Sequence, residues 1–161
     1  MKLGIISDSH DHIQNVQKAV KIFKEAKTEF VIHLGDFVAP PVVKLFSGLN
    51  LIGIFGNNDG EKMNLLMMFS AVKGNLKGEF FSDKFDGLNV AAYPGTVAEI
   101  TDALIECEKY DLVLSGHNHQ KRFKKIGKTL SLNPGTAHGF NGPATIAIFD
   151  TKTKNAEFIE L

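Results

Sequence analysis

Four apolar runs of this chain each end in a short polar motif of carboxylate, amide or imidazole side chains. These motifs are Asp-Ser-His at 8–10, Gly-Asp at 35–36, Gly-Asn-Asn-Asp at 56–59 and Gly-His-Asn-His at 116–119. Apolar runs bounded by polar residues are typical of buried strands, and strand ends in an α/β sheet are where ligands gather from distant parts of a sequence. The pattern therefore predicts an α/β fold with a site at the strand ends.

The first half of the chain alternates strand-like and helix-like periodicity. Strands are expected at 2–7, 30–34 and 51–55, and helices around 13–23, 43–46 and 61–72. This order predicts parallel strands joined by right-handed crossovers.

The second half of the chain contains hairpin signals instead. Asp86-Gly87 lies between two strand-like runs, and two further pairs of runs follow a helix near 97–108. The expected strands are 80–85, 88–93, 112–114, 122–126, 129–132, 144–149 and 156–159. We expect one α/β domain over 1–161, with two mixed sheets face to face and helices outside.

Composition excludes several classes of protein. The 18 basic and 18 acidic residues give zero net charge, whereas nucleic-acid binding normally requires a basic patch. The basic run at 120–125 is interpreted as a solvated edge strand or turn. No apolar run reaches the roughly 20 residues of a membrane span. The single cysteine, Cys107, cannot form a disulfide within the chain, which favours a reducing cytoplasm.

The polar motifs supply six candidate metal ligands without a thiolate. They are Asp8, His10, Asp36, Asn57, His117 and His119. In two motifs the donors lie two residues apart, so both side chains would point the same way if the backbone stayed extended. Oxygen and imidazole donors favour Mn, Fe, Ni, Zn or Mg. Six groups are too many for one open ion and suit two ions about 3.5–4 Å apart that share a carboxylate.

The four motifs, followed by Asn-Pro-Gly-Thr at 133–136, resemble those of the calcineurin-like metallophosphoesterases. The small size and the closing motif resemble the compact phosphodiesterase branch of that family, which also contains the retromer subunit vacuolar protein sorting 29. The match extends over 8–136. It implies a four-layer α/β/β/α sandwich, in agreement with the element order above.

The resemblance also implies roles for the ligands. Asp8, His10, Asp36 and His119 would hold the first metal, with Asp36 as the bridge, while Asn57 and His117 would hold the second. The implied activity is metal-dependent phosphodiester hydrolysis by a hydroxide that bridges the two ions.

Two positions depart from the family pattern. Pro94 stands where the family usually has a histidine ligand of the second metal, and proline offers only its carbonyl. Asn58 stands where many members have a histidine; it cannot act as a general acid but can hydrogen-bond a phosphate oxygen. Asn58 and Asp59 are the predicted catalytic residues. His12 and His138 are candidate substitute ligands, with His138 expected to swing inward.

Most of these residues also have an ordinary structural explanation. Asp8 can cap a helix, and Asp36 and Asp59 can occupy turns. His33, inside an apolar strand, is interpreted as a core histidine with satisfied hydrogen bonds. The histidines at 117 and 119 have no evident packing role, so the metal site remains the stronger explanation.

Three functions stay open at this point. The first is a phosphodiesterase that acts on a small substrate, preferring activated or strained diesters because no acid protonates the leaving group. The second is a weakly active or inactive interaction domain of the same fold, which Pro94 favours. The third, a monoester phosphatase, is disfavoured because the chain lacks room for larger insertions. Family members often self-associate, so the resemblance also implies a homo-oligomer.

Overall fold

The computed structural model describes residues 1–161 and contains eleven strands and four helices. The strands are β1 (Lys2–Ile6), β2 (Phe30–His33), β3 (Leu51–Gly53), β4 (Asn75–Leu76), β5 (Phe81–Phe85), β6 (Leu88–Ala92), β7 (Leu112–Leu114), β8 (Arg122–Ile126), β9 (Thr129–Asn133), β10 (Thr145–Asp150) and β11 (Asn155–Glu160). The helices are α1 (Ile13–Glu25), α2 (Lys62–Ala71), α3 (Ala98–Glu106) and a 3₁₀ helix, Pro40–Phe46. None of the four helices combines the length and the apolar character that a membrane span requires.

The strands form two mixed sheets, as the sequence predicts. The first sheet has the order β11-β10-β1-β2-β3-β4, and the second has the order β5-β6-β7-β9-β8. Strands β1 to β4 are parallel, and so are β6, β7 and β9. The two-residue strand β4 was not predicted, because two residues carry no periodicity. The run at 122–126 is an edge strand, which confirms that interpretation.

One of the two large hydrophobic clusters lies between the two sheets, because alternate strand residues point to opposite faces. Leu3 and Ile5 of β1 face the second sheet and share a buried cluster with Val90 and Leu112. Ile6 belongs to the cluster on the other face. The near-continuous apolar runs seen in the sequence are therefore strands buried on both faces.

The outer faces of the sheets are covered unequally. Helices α1, α2 and the 3₁₀ helix cover the first sheet over a cluster of 17 buried residues. Helix α3 covers the second over only Ala91, Ile105 and Val113. A Cβ at Gly4 would lie 2.6 Å from the ring of Phe23, so this glycine allows α1 to pack directly on β1. The fold class is confirmed: two sheets lie between helical layers.

Candidate metal centre

The loops after the parallel strands meet at one edge of the two sheets. The Asp8 and His10 amides donate to the carbonyls of Gly35 (3.1 Å) and Asp36 (3.0 Å). The carbonyl of Asp8 accepts from the amide of His138 at 3.0 Å. These hydrogen bonds join loops that are far apart along the chain, and they bring the predicted motifs together.

The backbone of these loops is not extended, which corrects the expectation for the paired donors. All but one of the candidate ligands adopt positive φ: Asp8 52°, His10 39°, Asp36 57°, His117 69° and His119 60°. Non-glycine residues in this region cost of order 1–3 kcal/mol each and cluster at functional sites. Turns, rather than strand alternation, therefore determine where these side chains point.

Four of the six predicted ligands form the closed half of the site: Asp8, His10, Asp36 and His119. Donor atoms of Asp8, His10 and His119 all lie within 4.8 Å of one another. Asp36 adjoins them, with its Oδ2 atom 3.5 Å from Nε2 of His10. The two carboxylates are almost fully buried, at 1% and 3% exposure. The four residues expected to hold the first metal therefore lie close together in the fold.

The closed half has the chemistry of a divalent metal site. The Nε2 atom of His10 is buried and has no hydrogen-bond partner, although a carboxylate oxygen lies nearby. Burial raises the pKa of Asp8, and the Asp36 carboxylate adds to this, while the His117 amide and the His119 ring oppose it. Buried carboxylates with too little compensating positive charge, beside free imidazole nitrogen, fit a cation bound by oxygen and nitrogen ligands.

The Asp36 carboxylate is oriented by Asn58. The Asn58 amide donates to Oδ1 at 2.9 Å, and its side-chain Nδ2 donates to Oδ2 at 2.8 Å. A Cβ at Gly56 would overlap the Asp36 carboxylate. Glycine is therefore required at 56 for the loop after β3 to reach this carboxylate.

Asp59 joins the loop after β2 to the loop after β3. It is 2% exposed, and its two carboxylate oxygens accept three backbone N–H groups, from Asp36 (2.9 Å), Val38 (2.8 Å) and Gly56 (2.8 Å). Burial raises the pKa of Asp59, and these bonds act against the shift. The geometry gives Asp59 a positioning role, and a direct catalytic role for it stays a prediction.

The two remaining predicted ligands, Asn57 and His117, form the open half of the site. Both are exposed, and neither side chain makes a hydrogen bond. They line separate clefts of about 250 and 280 Å³ on either side of residues 94–96. The carbonyl of Pro94 accepts the Gly116 amide at 2.9 Å, so it already has a partner. Ligation by the open half stays a prediction.

The candidate substitute ligands have different surroundings. Nδ1 of His12 accepts the Asn15 amide at 3.2 Å and caps α1. His138 already lies beside the closed half, with its ring centroid 6.1 Å from that of His10. Burial and the neighbouring histidines lower the pKa of His138, and its Nδ1 atom has no hydrogen-bond partner. Ligation by His138 after an inward swing stays a prediction.

Phe140 is a site residue that the sequence reasoning missed. Its ring stacks on His138 at 3.6 Å and on His119 at 5.8 Å, and it meets His10 edge-on at 5.0 Å. It is nevertheless 39% exposed. An aromatic residue between two glycines in a late loop was the only available signal.

His33 is a core histidine with both ring nitrogens bonded, as interpreted from the sequence. The Gly35 amide donates to its Nδ1 at 3.3 Å, so Nε2 carries the proton and donates to the Ser9 hydroxyl at 3.0 Å. Burial lowers the pKa of His33 to about 3. His33 is therefore a neutral residue that joins the loop containing Ser9 to the loop containing Gly35.

Comparisons with known proteins identified a matching family model and several similar chains. A model of the calcineurin-like phosphoesterase superfamily domain matches residues 1–154. Phosphodiesterase MJ0936 of Methanocaldococcus jannaschii is 38% identical over 165 residues, which cover 100% of this chain and 99% of that protein. A solved archaeal phosphodiesterase superimposes with a TM-score of 0.95 at 37% identity and full coverage of both chains. Vps29 of Entamoeba histolytica shares the fold, with a TM-score of 0.72 at 16% identity, covering 100% of this chain and 99% of that one.

Proposed function

The chain belongs to the calcineurin-like phosphoesterase superfamily, and from this premise we propose that it is a metal-dependent phosphodiesterase acting on small substrates. One observation carries the proposal: the convergence of Asp8, His10 and His119 within 4.8 Å. The 38% identity to a phosphodiesterase along the whole chain supports the diester specificity.

The six predicted ligands would hold two divalent ions. The closed half would hold one ion, and Asn57 with His117 would hold another beside the shared carboxylate of Asp36. The donor chemistry suits Mn, Ni, Fe, Zn or Mg. When bound, such ions supply a water of lowered pKa and neutralise charge on phosphate oxygens.

Asn58 and Asp59 orient the predicted metal ligands and do not protonate the leaving group. Asn58 fixes the Asp36 carboxylate through two hydrogen bonds and has no titratable proton. Asp59 holds the backbone beneath it. Since the described contacts offer no general acid at residue 58, the leaving group must depart without proton donation from that position. Aryl and cyclic diesters are therefore expected to react before simple monoesters.

An interaction domain of the same fold is the competing function. Pro94 lines the open half in place of a side-chain ligand, and Asn57 and His117 are exposed there. The intact closed half favours the enzyme, because a scaffold has no need of four converging donors at strained φ angles.

The lone, exposed thiol of Cys107 suits a reducing cytoplasm. Self-association stays a prediction.

The test is hydrolysis of bis(4-nitrophenyl) phosphate by chelator-treated protein after addition of Mn, Ni, Mg or Zn. We expect turnover that depends on the added ion and disappears in Asp36→Asn. Asp83→Asn, an exposed carboxylate on β5, is the matched control and should behave as the wild type. No turnover with any ion, with the variant and wild type alike in metal content, would overturn the proposal.

A further inference from the structure

A polar cleft of about 280 Å³ lies beside the open half, on the side of the second sheet. It is bounded by the loop containing Gly116 and His117, by the first turn of α3 and by the edge strand β8. A Cβ at Gly116 would lie 2.9 Å from Oδ2 of Asp8. The cleft is therefore immediately next to the predicted metal centre.

Arg122 contributes a positive charge to this cleft without an acidic partner. Its side chain is half-buried and forms no ion pair within 4.0 Å. Its Nε atom is buried with no hydrogen-bond partner, and its one hydrogen bond, to the Ser115 hydroxyl, is long at 3.5 Å. A half-buried guanidinium that lines a cleft without a carboxylate partner is suited to bind an anionic ligand there.

The first turn of α3 supplies further donors. The helix begins at Ala98 with no side-chain cap at Val97, which leaves the amides of Ala98 and Glu99 without a partner, whereas the Ile100 amide donates to the Val97 carbonyl at 3.2 Å. Thr101 lines the cleft at 5% exposure, and its Oγ1 atom is buried with no hydrogen-bond partner. A helix N-terminus favours anions, and the unpartnered hydroxyl independently points to a bound group.

Asp102 is the one acidic residue that lines the cleft, and it opposes an anion there. Its side chain is exposed and does not pair with Arg122. Solvent screens its charge more than that of the half-buried guanidinium. The balance favours a ligand with several acceptor oxygens, which can engage the guanidinium fork and the hydroxyls together.

We propose that this cleft is a phosphate subsite in which Arg122 and Thr101 bind a phosphate group beside the metal centre. The phosphate is either a second phosphate carried by the substrate or free inorganic phosphate. The substrate source rests on the proposed function; the subsite itself does not. The basic run at 120–125 indicated only a solvated edge strand or turn, and the direction of the Arg122 side chain is a property of the fold.

The first experiment measures binding of inorganic phosphate to chelator-treated protein by calorimetry. We expect saturable binding that weakens about tenfold or more in Arg122→Met, because charge-assisted hydrogen bonds to phosphate are lost. Thr101→Val should weaken it severalfold and Asp102→Asn should strengthen it. Lys124→Met, an exposed residue on the same strand, is the matched control. No saturable binding by the wild type, or equal binding by Arg122→Met, overturns the subsite.

The second experiment distinguishes the two sources of phosphate. The two substrates are ethyl 4-nitrophenyl phosphate and the same diester with a phosphate ester on carbon 2 of its ethyl group. They share the 4-nitrophenol leaving group and differ in one phosphate. If the substrate is the source, Arg122→Met raises KM for the analogue alone, again by about tenfold. If only phosphate binding falls, the subsite takes free phosphate. If the wild type hydrolyses neither ester, the proposed function fails, and the calorimetry still decides the subsite.

Discussion

The closed and open halves of the site differ in how the fold supports them. In the closed half, Asp8 and Asp36 are almost fully buried, and backbone hydrogen bonds fix the loops that carry them. In the open half, Asn57 and His117 are exposed and have no side-chain hydrogen bonds. Both halves come from equally clear sequence motifs. The difference shows that a motif identifies donors, whereas burial and side-chain contacts in the folded protein decide whether those donors are held in place.

This contrast has a consequence for metal affinity. A preorganised donor set loses little conformational entropy when an ion binds, whereas exposed side chains must be ordered first. The first ion should therefore bind more tightly than the second. Variants of each half test this difference, beginning with the carboxylate that both halves share.

The largest effect is expected for Asp36→Asn. The substitution removes the negative charge that both ions are predicted to share, so turnover should fall by at least about 100-fold and metal content should drop. Steady-state assays and elemental analysis of the dialysed protein measure these losses. Unchanged metal content would show that the halves do not meet at Asp36.

Asp59→Asn tests the support beneath the closed half. The new NH2 group must face backbone N–H groups that now bond to the carboxylate, and this should destabilise the fold by about 1–3 kcal/mol. Urea denaturation measures the change, with Asp83→Asn as the surface control. If the stability matched that of the wild type while activity vanished, Asp59 would be catalytic rather than positioning.

Comparing His119→Ala with His117→Ala separates the halves directly. We expect His119→Ala to weaken the tighter ion by about 10- to 100-fold and His117→Ala to affect only the weaker one. Metal titration by calorimetry resolves the two steps. Equal effects on one binding step would contradict the division into halves.

Pro94→His is designed to make the open half resemble the closed one. An imidazole at this position would add a ligand next to Asn57, and we expect severalfold tighter binding of the second ion. The carbonyl of residue 94 can still accept the Gly116 amide. A histidine variant that bound the second ion no more tightly would place the missing ligand elsewhere.

The smallest effect is expected for His138→Ala. His138 packs on Phe140 and lies beside His10, so its loss should loosen this wall of the closed half. If His138 is a substitute ligand, metal content falls. Metal content equal to that of the wild type would remove it from the ligand set, and Phe140→Leu serves as the packing control.

Several features followed from the sequence because they depend on local pattern. Apolar runs and helical spacing predicted the parallel strands β1 to β3 and the mixed architecture. Donor types at strand ends identified the six candidate ligands. The interpretation of His33 was correct because an imidazole in a buried run must find hydrogen bonds. All of these properties are visible within a few neighbouring residues.

The directions of the site side chains, and the contacts that hold the ligand loops in place, depended on chain segments far apart in the sequence. The positive φ angles of the ligand loops, the three amides on Asp59, the placement of Phe140 and the cleft at Arg122 arise where chain segments meet across the fold. The amino-acid sequence by itself determined which chemical groups are present and that they lie at strand ends. Only the tertiary structure decided which groups are buried together and which face solvent, because hydrogen bonds between loops remote in sequence set the side-chain directions.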